Sequence, residues 1–197
     1  MKKLAVGLAL FLTLATPCLQ ADEGEGYDGG RRGFTVGFGP IGNIYVIDTL
    51  PIMDPGIGGY VYFDYRFHPQ VAFETSFFVS SQDADNVSKA DGNILLLGIP
   101  AFDIKLYFRD GEPRWDPYAS TGIGVYILTE GNVSNSTGGA GIGAQVSLGF
   151  DYYLNSLISL GFQGAFRSVG VITNFGTPSA STAIFPYSLQ GNVAFHF

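Results

Sequence analysis

The chain of 197 residues is acidic, poor in charge, and rich in aromatic residues and glycine. Ten Lys and Arg face 17 Asp and Glu, so the formal net charge is −7, and no basic face is available for binding nucleic acid. Charged residues make up 14% of the chain, aromatics make up 15%, and 28 residues are Gly. This composition is typical of a chain partly surrounded by lipid.

The first 21 residues have the pattern of an export signal. Lys2 and Lys3 are basic, residues 4–14 are apolar, and Ala21 is a small residue suited to cleavage. A membrane-spanning helix needs about 20 apolar residues, and this run is shorter. The pattern therefore predicts a signal peptide over residues 1–21.

The sole cysteine, Cys18, lies within this predicted signal peptide. Lipid modification of Cys18 is the alternative to simple cleavage, but Pro17 departs from the small residue that the lipoprotein pattern has there. After cleavage the exported chain would have no thiol, which excludes disulfides and thiolate metal sites.

Apolar and polar residues alternate with a period of two over most of residues 33–197, after a polar, glycine-rich segment at 22–32. We expect 22–32 to form a flexible periplasmic lead. The predicted strands are 33–39, 56–67, 71–80, 93–108, 117–128, 140–154, 157–167 and 184–197. Without a second long apolar run, a closed barrel is the remaining way to pair every backbone group in lipid. The sequence predicts an all-β fold: an eight-stranded, antiparallel, up-and-down transmembrane β-barrel.

Short and long connections alternate between these predicted strands. The short ones are 68–69, 109–116 and 155–156, and the long ones are 40–55, 81–92, 129–139 and 169–183. Outer-membrane barrels place short turns in the periplasm and longer loops outside the cell. The alternation therefore predicts four extracellular loops.

One face of the predicted strands carries ionisable side chains, which should point into the barrel. They are Asp64, Arg66, Glu74, Asp103, Lys105, Asp151 and Arg167, together with Gln145, Gln163, Gln190 and Asn192. The interior of an eight-stranded barrel is just wide enough for its own side chains, so we expect a polar network that fills it. A narrow polar conduit for small solutes is the alternative.

Aromatic residues recur near the predicted periplasmic ends of the strands, as in an interfacial girdle. They are Tyr65, Phe67, Trp115, Tyr118, Tyr152, Tyr153, Phe195 and Phe197. A secreted, lipocalin-like barrel with a ligand cavity would show the same alternation. The low charge and the bulky apolar face favour lipid, because a soluble barrel needs a charged exterior.

The segment Trp115-Asp-Pro-Tyr118-Ala-Ser-Thr-Gly122-Ile-Gly124 resembles a stretch of small eight-stranded outer-membrane proteins of the OmpA/OmpX and OmpW type. This resemblance implies an integral protein of a Gram-negative outer membrane. The C-terminal segment is similar to the signal that the barrel-assembly machinery reads, with Gln190, Phe195 and Phe197 in place and Asn192 where that signal has glycine.

Enzymatic activity is not expected. Some outer-membrane lipid deacylases share a Ser–His–acid site, but this chain has only His68 and His196, and neither lies in a His-x-Ser pairing. Two histidines without cysteine or clustered acids do not make a metal site. We expect no catalytic, metal or cofactor-binding residues.

These observations predict a monomeric, non-enzymatic outer-membrane barrel with a structural or surface-exposed role. Its expected partners are outer-membrane lipid, lipopolysaccharide and the barrel-assembly machinery, and nucleic acid is not among them. Passage of small solutes, as in OmpW-like proteins, and binding through the four loops are the alternative functions.

Overall fold

The computed structural model describes residues 31–48, 54–83, 94–109, 114–130, 138–173 and 180–197. The predicted signal peptide, residues 22–30 of the predicted lead and the central parts of the four loops lie outside the described residues. Eight antiparallel strands pair in chain order, and the first also pairs with the last, so the sheet is a closed barrel. The predicted fold is confirmed. The strands are β1 (Gly33–Asp48), β2 (Gly56–His68), β3 (Val71–Gln82), β4 (Ile94–Tyr107), β5 (Trp115–Glu130), β6 (Gly138–Tyr153), β7 (Ile158–Thr173) and β8 (Ala180–His196).

The two ends of the barrel differ in their connections. The turns after β2, β4 and β6 lie at the end where β1 begins and β8 finishes, and we call it the turn end. The connections after β1, β3, β5 and β7 lie at the opposite end, the loop end.

Several strands reach further toward the loop end than the alternation predicts. β1 continues to Asp48, so the expected loop 40–55 is wrong for residues 40–48. Pro40 and Gly42 interrupt the apolar pattern there. Pro40 nevertheless pairs with Gly59 of β2. On the other side of β1, pairing with β8 is interrupted between Phe38 and Ile41, so the sheet tolerates the missing N–H of Pro40 there.

The other long loops are also shorter than expected. β7 runs to Thr173 and β8 begins at Ala180, so much of the expected loop 169–183 is strand. The expected loop 129–139 loses residues to β5 and β6 in the same way, and the expected loop 81–92 begins later because β3 ends at Gln82. Glycine, serine and threonine signalled loops here, but sheet pairing outweighs these weak local preferences.

β4 contains a bulge at Pro100. Ile99 pairs with Val125 of β5 and Ala101 pairs with Gly124, so Pro100 is an extra residue without a partner. A bulge is one of the few places within a sheet that tolerate proline.

The outer face of the barrel is apolar. Between the strand ends, none of the described outward side chains is charged, and large ones such as Ile142 and Leu148 are 75% and 67% exposed. Outward apolar residues extend on β1 from Phe34 to Ile44. Because the strands of such barrels tilt by about 40° from the barrel axis, this stretch spans about 25 Å along the axis. That height matches the apolar band of outer-membrane barrels and excludes the soluble, lipocalin-like alternative.

No helix among the described residues is long and apolar enough to cross a membrane.

Most of the expected aromatic girdle lies on the outer face at the turn end. The exposed members are Tyr65, Phe67, Trp115, Tyr152, Phe195 and Phe197. The prediction is wrong for Tyr118 and Tyr153, which point inward and are only 2% and 4% exposed. Residue type alone does not distinguish the two faces, because tyrosine suits both an interface and a polar interior.

The apolar band predicts a depth-dependent cost of charge. Leu148→Arg, in the middle of β6, should lower the free energy of unfolding in a phospholipid bilayer by about 2–4 kcal/mol. Leu154→Arg makes the same change just past the end of that strand and should cost about 0–1 kcal/mol. Urea titration of the refolded variants measures both, and equal costs would contradict a membrane-spanning outer face.

Closure of the barrel depends on a glycine at the start of β1. Gly33 has a φ of +129°, and a Cβ there would lie 2.1 Å from the carbonyl oxygen of Phe197. Phe34 and Phe197 exchange two backbone hydrogen bonds, of 3.1 and 2.8 Å, directly beside it. We expect Gly33→Ala to lower the free energy of unfolding by about 1–3 kcal/mol, because it combines an unfavourable φ with a backbone clash.

Gly191→Ala is the matched control for this change, because a Cβ at Gly191 of β8 meets nothing within 4 Å. Urea unfolding should leave the Gly191 variant within about 0.5 kcal/mol of the parent. If Gly33→Ala were equally mild, the closure would not depend on this glycine.

Candidate functional site

The ionisable residues predicted for the interior are all buried in the barrel. Each is between 1% and 4% exposed: Asp64, Arg66, Glu74, Asp103, Lys105, Asp151 and Arg167. Six of them belong to three groups, centred on Lys105, Arg66 and Arg167, and Asp151 accepts a hydrogen bond from Tyr107. Because buried charges are costly when unpaired, the contacts within each group decide its contribution to stability.

Lys105 of β4 is the centre of the first group. Its Nζ lies 2.5 Å from Glu74 Oε2 and 3.6 Å from Asp64 Oδ2. The rings of Tyr62 and Tyr118 also contact the ammonium group, with centroids 4.8 and 4.5 Å from Nζ. The ammonium group is therefore neutralised by two carboxylates and packed between aromatic faces.

Arg66 of β2 forms the second group, nearer the turn end. Its guanidinium donates to Asp116 Oδ2 at 2.7 Å and to the Pro69 carbonyl at 2.8 Å, and it lies 3.7 Å from the ring centroid of Tyr107. Asp116 is fully buried, but the sequence placed it in the turn 109–116. Its alternation with Tyr118 and Ser120 was the signal for an inward carboxylate.

Arg167 of β7 starts the third group, which is a hydrogen-bond chain. Its Nε donates to Gln145 Oε1 at 2.8 Å, and Gln145 donates in turn to Asp103. A second donor of Arg167 reaches Ser188, which donates to Asn43. The chain thereby links β4 and β6 with β8 and β1.

The same chain continues across β2 without contacting a side chain of that strand. Asn43 Nδ2 of β1 donates to Ser80 Oγ of β3 at 2.6 Å, and Ser80 donates to Gln82. The intervening inward positions of β2 are Gly56 and Gly58, where a Cβ would lie 2.5 Å from Gln82 Oε1 and 1.8 Å from the Val79 carbonyl oxygen. These glycines leave room for the direct contact between β1 and β3.

Carboxylates outnumber cations in the described interior. Besides the four predicted acids, Asp116 is buried, so five carboxylates lie with the buried cations Arg66, Lys105 and Arg167, and Arg31 adds a cation 3.4 Å from the ring centroid of Tyr153 at the turn end. Asp151 accepts a hydrogen bond of 3.4 Å from Tyr107 Oη, and Asp103 accepts one from Gln145. The formal charge of these side chains is therefore negative.

The loop-end half of the interior is largely apolar. The apolar cluster there includes Ile41, Phe78, Ile94, Leu96, Tyr126, Leu128, Val169, Val171 and Ile184, and it continues toward the turn end through Tyr60, Tyr62 and Ala194. The sequence did not predict this apolar cluster, which lies beside the buried polar side chains of Asn43, Ser80, Gln82 and Ser188. Ile41, Val169 and Val171 lay in predicted loops. An apolar side chain also does not indicate whether it points inward or outward when lipid lies on one face of the strand and an apolar interior on the other.

A cavity of about 150 Å³ lies within the turn end. Thr35, Asp64, Arg66, Tyr107, Tyr153 and His196 are among the residues that line it. Its volume is enough for several water molecules. Solvent from the turn end can therefore reach Asp64, which belongs to the Lys105 group.

His196 lies between two hydroxyl groups at this cavity. Its Nδ1 is 3.0 Å from Thr35 Oγ1, and its Nε2 is 2.8 Å from Ser159 Oγ. Acyl transfer needs an accessible nucleophile and a group that orients the histidine, commonly a carboxylate. Ser159 is fully buried, and a threonine occupies the position of the carboxylate. This pair therefore lacks the arrangement of a hydrolase site.

His68 is exposed at the end of β2, where its Nδ1 accepts a hydrogen bond of 3.2 Å from the backbone N–H of Gln70 in the following turn. Within the described ranges, no three His, Cys, Asp or Glu side chains are grouped to hold a metal ion.

The residues of the predicted assembly signal face both sides of β8. Phe195 and Phe197 are exposed on the outer face, and Gln190 is buried inside. Asn192 also points inward, and its Oδ1 accepts a hydrogen bond of 3.3 Å from Tyr62 Oη. Recognition by the assembly machinery remains a prediction.

Removal of the central cation should be strongly destabilising. Lys105→Met leaves Glu74 and Asp64 buried without their cation, and we expect a loss of about 3–5 kcal/mol in the free energy of unfolding. Urea titration of the refolded barrel measures the change.

The triple variant Lys105→Met, Glu74→Gln, Asp64→Asn is the control for this interpretation. It removes the unpaired charges together, so it should recover more than half of the lost stability. A triple variant as unstable as Lys105→Met would show that packing of the lysine stem, and not charge pairing, causes the loss.

No protein-family model matches the chain, and a search of curated proteins finds no match. Solved structures do match it. Neisserial surface protein A has a TM-score of 0.67 at 14% identity, over 84% of this chain and 97% of that one. OprG of Pseudomonas aeruginosa has a TM-score of 0.60 at 16% identity, over 86% and 98%. Ail of Yersinia pestis has a TM-score of 0.56 at 10% identity, over 85% and 100%.

These identities are low, so the likeness concerns the fold. All three matched structures are small outer-membrane proteins, and this chain shares with them a closed barrel. Its uncharged outer face has the height of a membrane's apolar core. The chain therefore has the fold of the small eight-stranded outer-membrane β-barrels.

Proposed function

We propose that this protein is a non-enzymatic, monomeric outer-membrane barrel with a closed interior, whose role is structural or exerted at the cell surface. The observation that carries the proposal is the apolar cluster that fills the loop-end half of the interior, above the paired charges of the other half. In this arrangement the interior supports the wall, and the polar side chains beside the cluster, from Arg167 through Ser188, Asn43 and Ser80 to Gln82, are engaged in hydrogen bonds with one another.

A narrow channel is the alternative function, and the cavity at the turn end is the observation in its favour. The cavity reaches Asp64 but none of the aliphatic residues of the cluster. An ion that continued toward the loop end would lose its hydration shell among apolar side chains, at a cost of several kcal/mol. We therefore propose passage of solutes only as the second function.

Surface binding through the loops is a third candidate. Two matched structures are of a neisserial surface protein and of an attachment invasion locus protein, the latter also solved with a heparin analogue. In this chain the exposed loop-end residues Asp54 and Asp83 are acidic. Lys89 is the single basic residue of the expected loops at that end, so a cationic partner suits them better than a polyanion.

The assembly and orientation of the barrel follow from the same proposal. The longer connections would face the outside of the cell and the short turns the periplasm. Export by the predicted signal peptide and recognition of Gln190, Phe195 and Phe197 by the barrel-assembly machinery belong to this proposal. Lipopolysaccharide and phospholipid would then surround the outer face.

Conductance in a planar lipid bilayer tests whether the interior is closed. The refolded protein, residues 22–197, should insert and show no discrete openings. The double variant Phe78→Ala, Tyr126→Ala removes two rings of the apolar cluster, whose centroids are 6.1 Å apart, and should show cation-selective openings.

The matched control is Phe77→Ala, Val125→Ala, which trims the neighbouring outward residues of the same two strands and should stay silent. Openings by the parent protein would favour the channel. A protein that folds but does not insert would refute the membrane location.

A further inference from the structure

The segment before β1 lies at the turn-end mouth of the barrel and does not continue the line of that strand. Gly33 has a φ of +129°, which is unlike the conformation of a strand, so the chain changes direction at this residue. Arg31 and Arg32 precede this turn, and both line the turn-end cavity. We call residues 31–33 the strap.

The side chain of Arg31 holds the strap against a distant part of the wall. Its guanidinium lies 3.4 Å from the ring centroid of Tyr153, which belongs to β6, and β8 and β7 separate β1 from β6 in the barrel. The Tyr153 ring is well held, because it is only 4% exposed and packs against the His196 ring at a centroid distance of 4.8 Å. A guanidinium stacked on a buried ring at this distance makes a favourable cation–π contact.

The charge of the interior favours a cation at this position. Five buried carboxylates and three buried cations leave the described interior with more negative than positive charge. Arg31 is partly buried at the mouth of the same space, so its guanidinium brings a further cation toward those carboxylates. Asp64, one of the five, lines the same cavity as Arg31. Electrostatic attraction and stacking therefore act together on one side chain.

We propose that the strap is a detachable lid of the turn-end cavity, held shut by the stacking of Arg31 on Tyr153. Water enters the cavity past the closed lid, whereas larger molecules enter only when Arg31 leaves the ring. The inference rests on the proposed closed interior, to which it adds a second closure at the end opposite the apolar cluster. Access to the turn-end cavity is then controlled by the N-terminal segment and not by the barrel wall.

The reactivity of a thiol placed in the cavity measures whether the lid is shut. Residues 22–197 contain no cysteine, so Thr35→Cys adds a single thiol at a buried position that lines the cavity. Ser156→Cys adds one at an exposed position on the rim of the same cavity. The refolded barrels are treated with N-ethylmaleimide, a neutral reagent larger than water, and the modified fraction is followed by mass spectrometry.

Breaking the contact from either side should uncover the thiol. When combined with Thr35→Cys, Arg31→Gln and Tyr153→Leu should each raise the rate of modification about tenfold. When combined with Ser156→Cys, neither change should alter the rate. Loss of the Arg31 cation disfavours the thiolate, which is the reacting form, so the change in charge alone would slow the reaction. Equal rates with and without the two changes would overturn the proposal.

Three matched variants separate release of the lid from a general loosening of the barrel. Arg114→Gln removes an exposed arginine of the turn end that does not line the cavity, and Tyr152→Leu trims the outward neighbour of Tyr153. Tyr153→Phe keeps the face of the ring on which Arg31 stacks. All three should leave the reactivity of the Thr35→Cys thiol unchanged, and a tenfold acceleration by any of them would contradict the lid.

The double variant Arg31→Gln, Tyr153→Leu tests whether the two residues act through one contact. It should react about tenfold faster than the parent, as each single variant does, because the second change removes nothing further. A roughly hundredfold acceleration would mean two independent effects and would overturn the proposal.

Heat-modifiable migration in electrophoresis is scored for every variant. Arg31→Gln and Tyr153→Leu break the contact from opposite sides, so either one provides the test if the other does not fold. Openings by the parent in a planar bilayer would refute the closed interior, whereas unchanged thiol reactivity in the folded variants would refute only the lid.

Discussion

Every feature of this structure depends on the closure of the sheet, because unpaired backbone groups are not tolerated in lipid. The pairing of β1 with β8 leaves no edge, and it commits each residue to one of two faces. A shift of one residue would place Lys105 in the membrane and its outward neighbour Ile104 in the interior. β4 shows how strictly this applies: Leu96 and Lys105 both point inward only because the bulge at Pro100 inserts one residue between them.

The two halves of the interior accommodate their inward side chains in different ways. In the turn-end half, cations are held by carboxylates and carbonyls, as Arg66 is by Asp116 and Pro69. In the loop-end half, apolar side chains such as Leu96 and Val169 fill the space and need no partners. The two halves are joined where Arg167 lies 4.7 Å from the ring centroid of Phe78, with its charge directed to Gln145 and Ser188. Because the residues of the apolar cluster are uncharged, their packing does not depend on the exact charge balance of the other half.

The sequence predicted the class, the number of strands and their order, because alternation with period two is a direct consequence of a two-faced wall. It predicted an inward direction for Asp103 and Lys105, since a charge in lipid is prohibitive. It did not predict the loop-end halves of β1 and β7. There, glycine and proline resembled loop signals, and Ile41 or Val171 gave no information about direction, because lipid and a dry interior accept the same side chains. Asp116 was missed for a different reason: a carboxylate beside Pro117 is typical of a turn, and this local signal outweighed the alternation of Asp116 with Tyr118 and Ser120 that indicates its inward direction.

The packing of the interior also depends on a glycine of the wall. A Cβ at Gly98 would lie 2.1 Å from the ring of Phe78, so this ring packs directly against the backbone from the inside. A side chain at Gly98 would displace the ring from its contact with Tyr126, whose ring centroid is 6.1 Å away. The apolar cluster that closes the barrel to solutes therefore depends on this glycine as well as on the side chains that form the cluster.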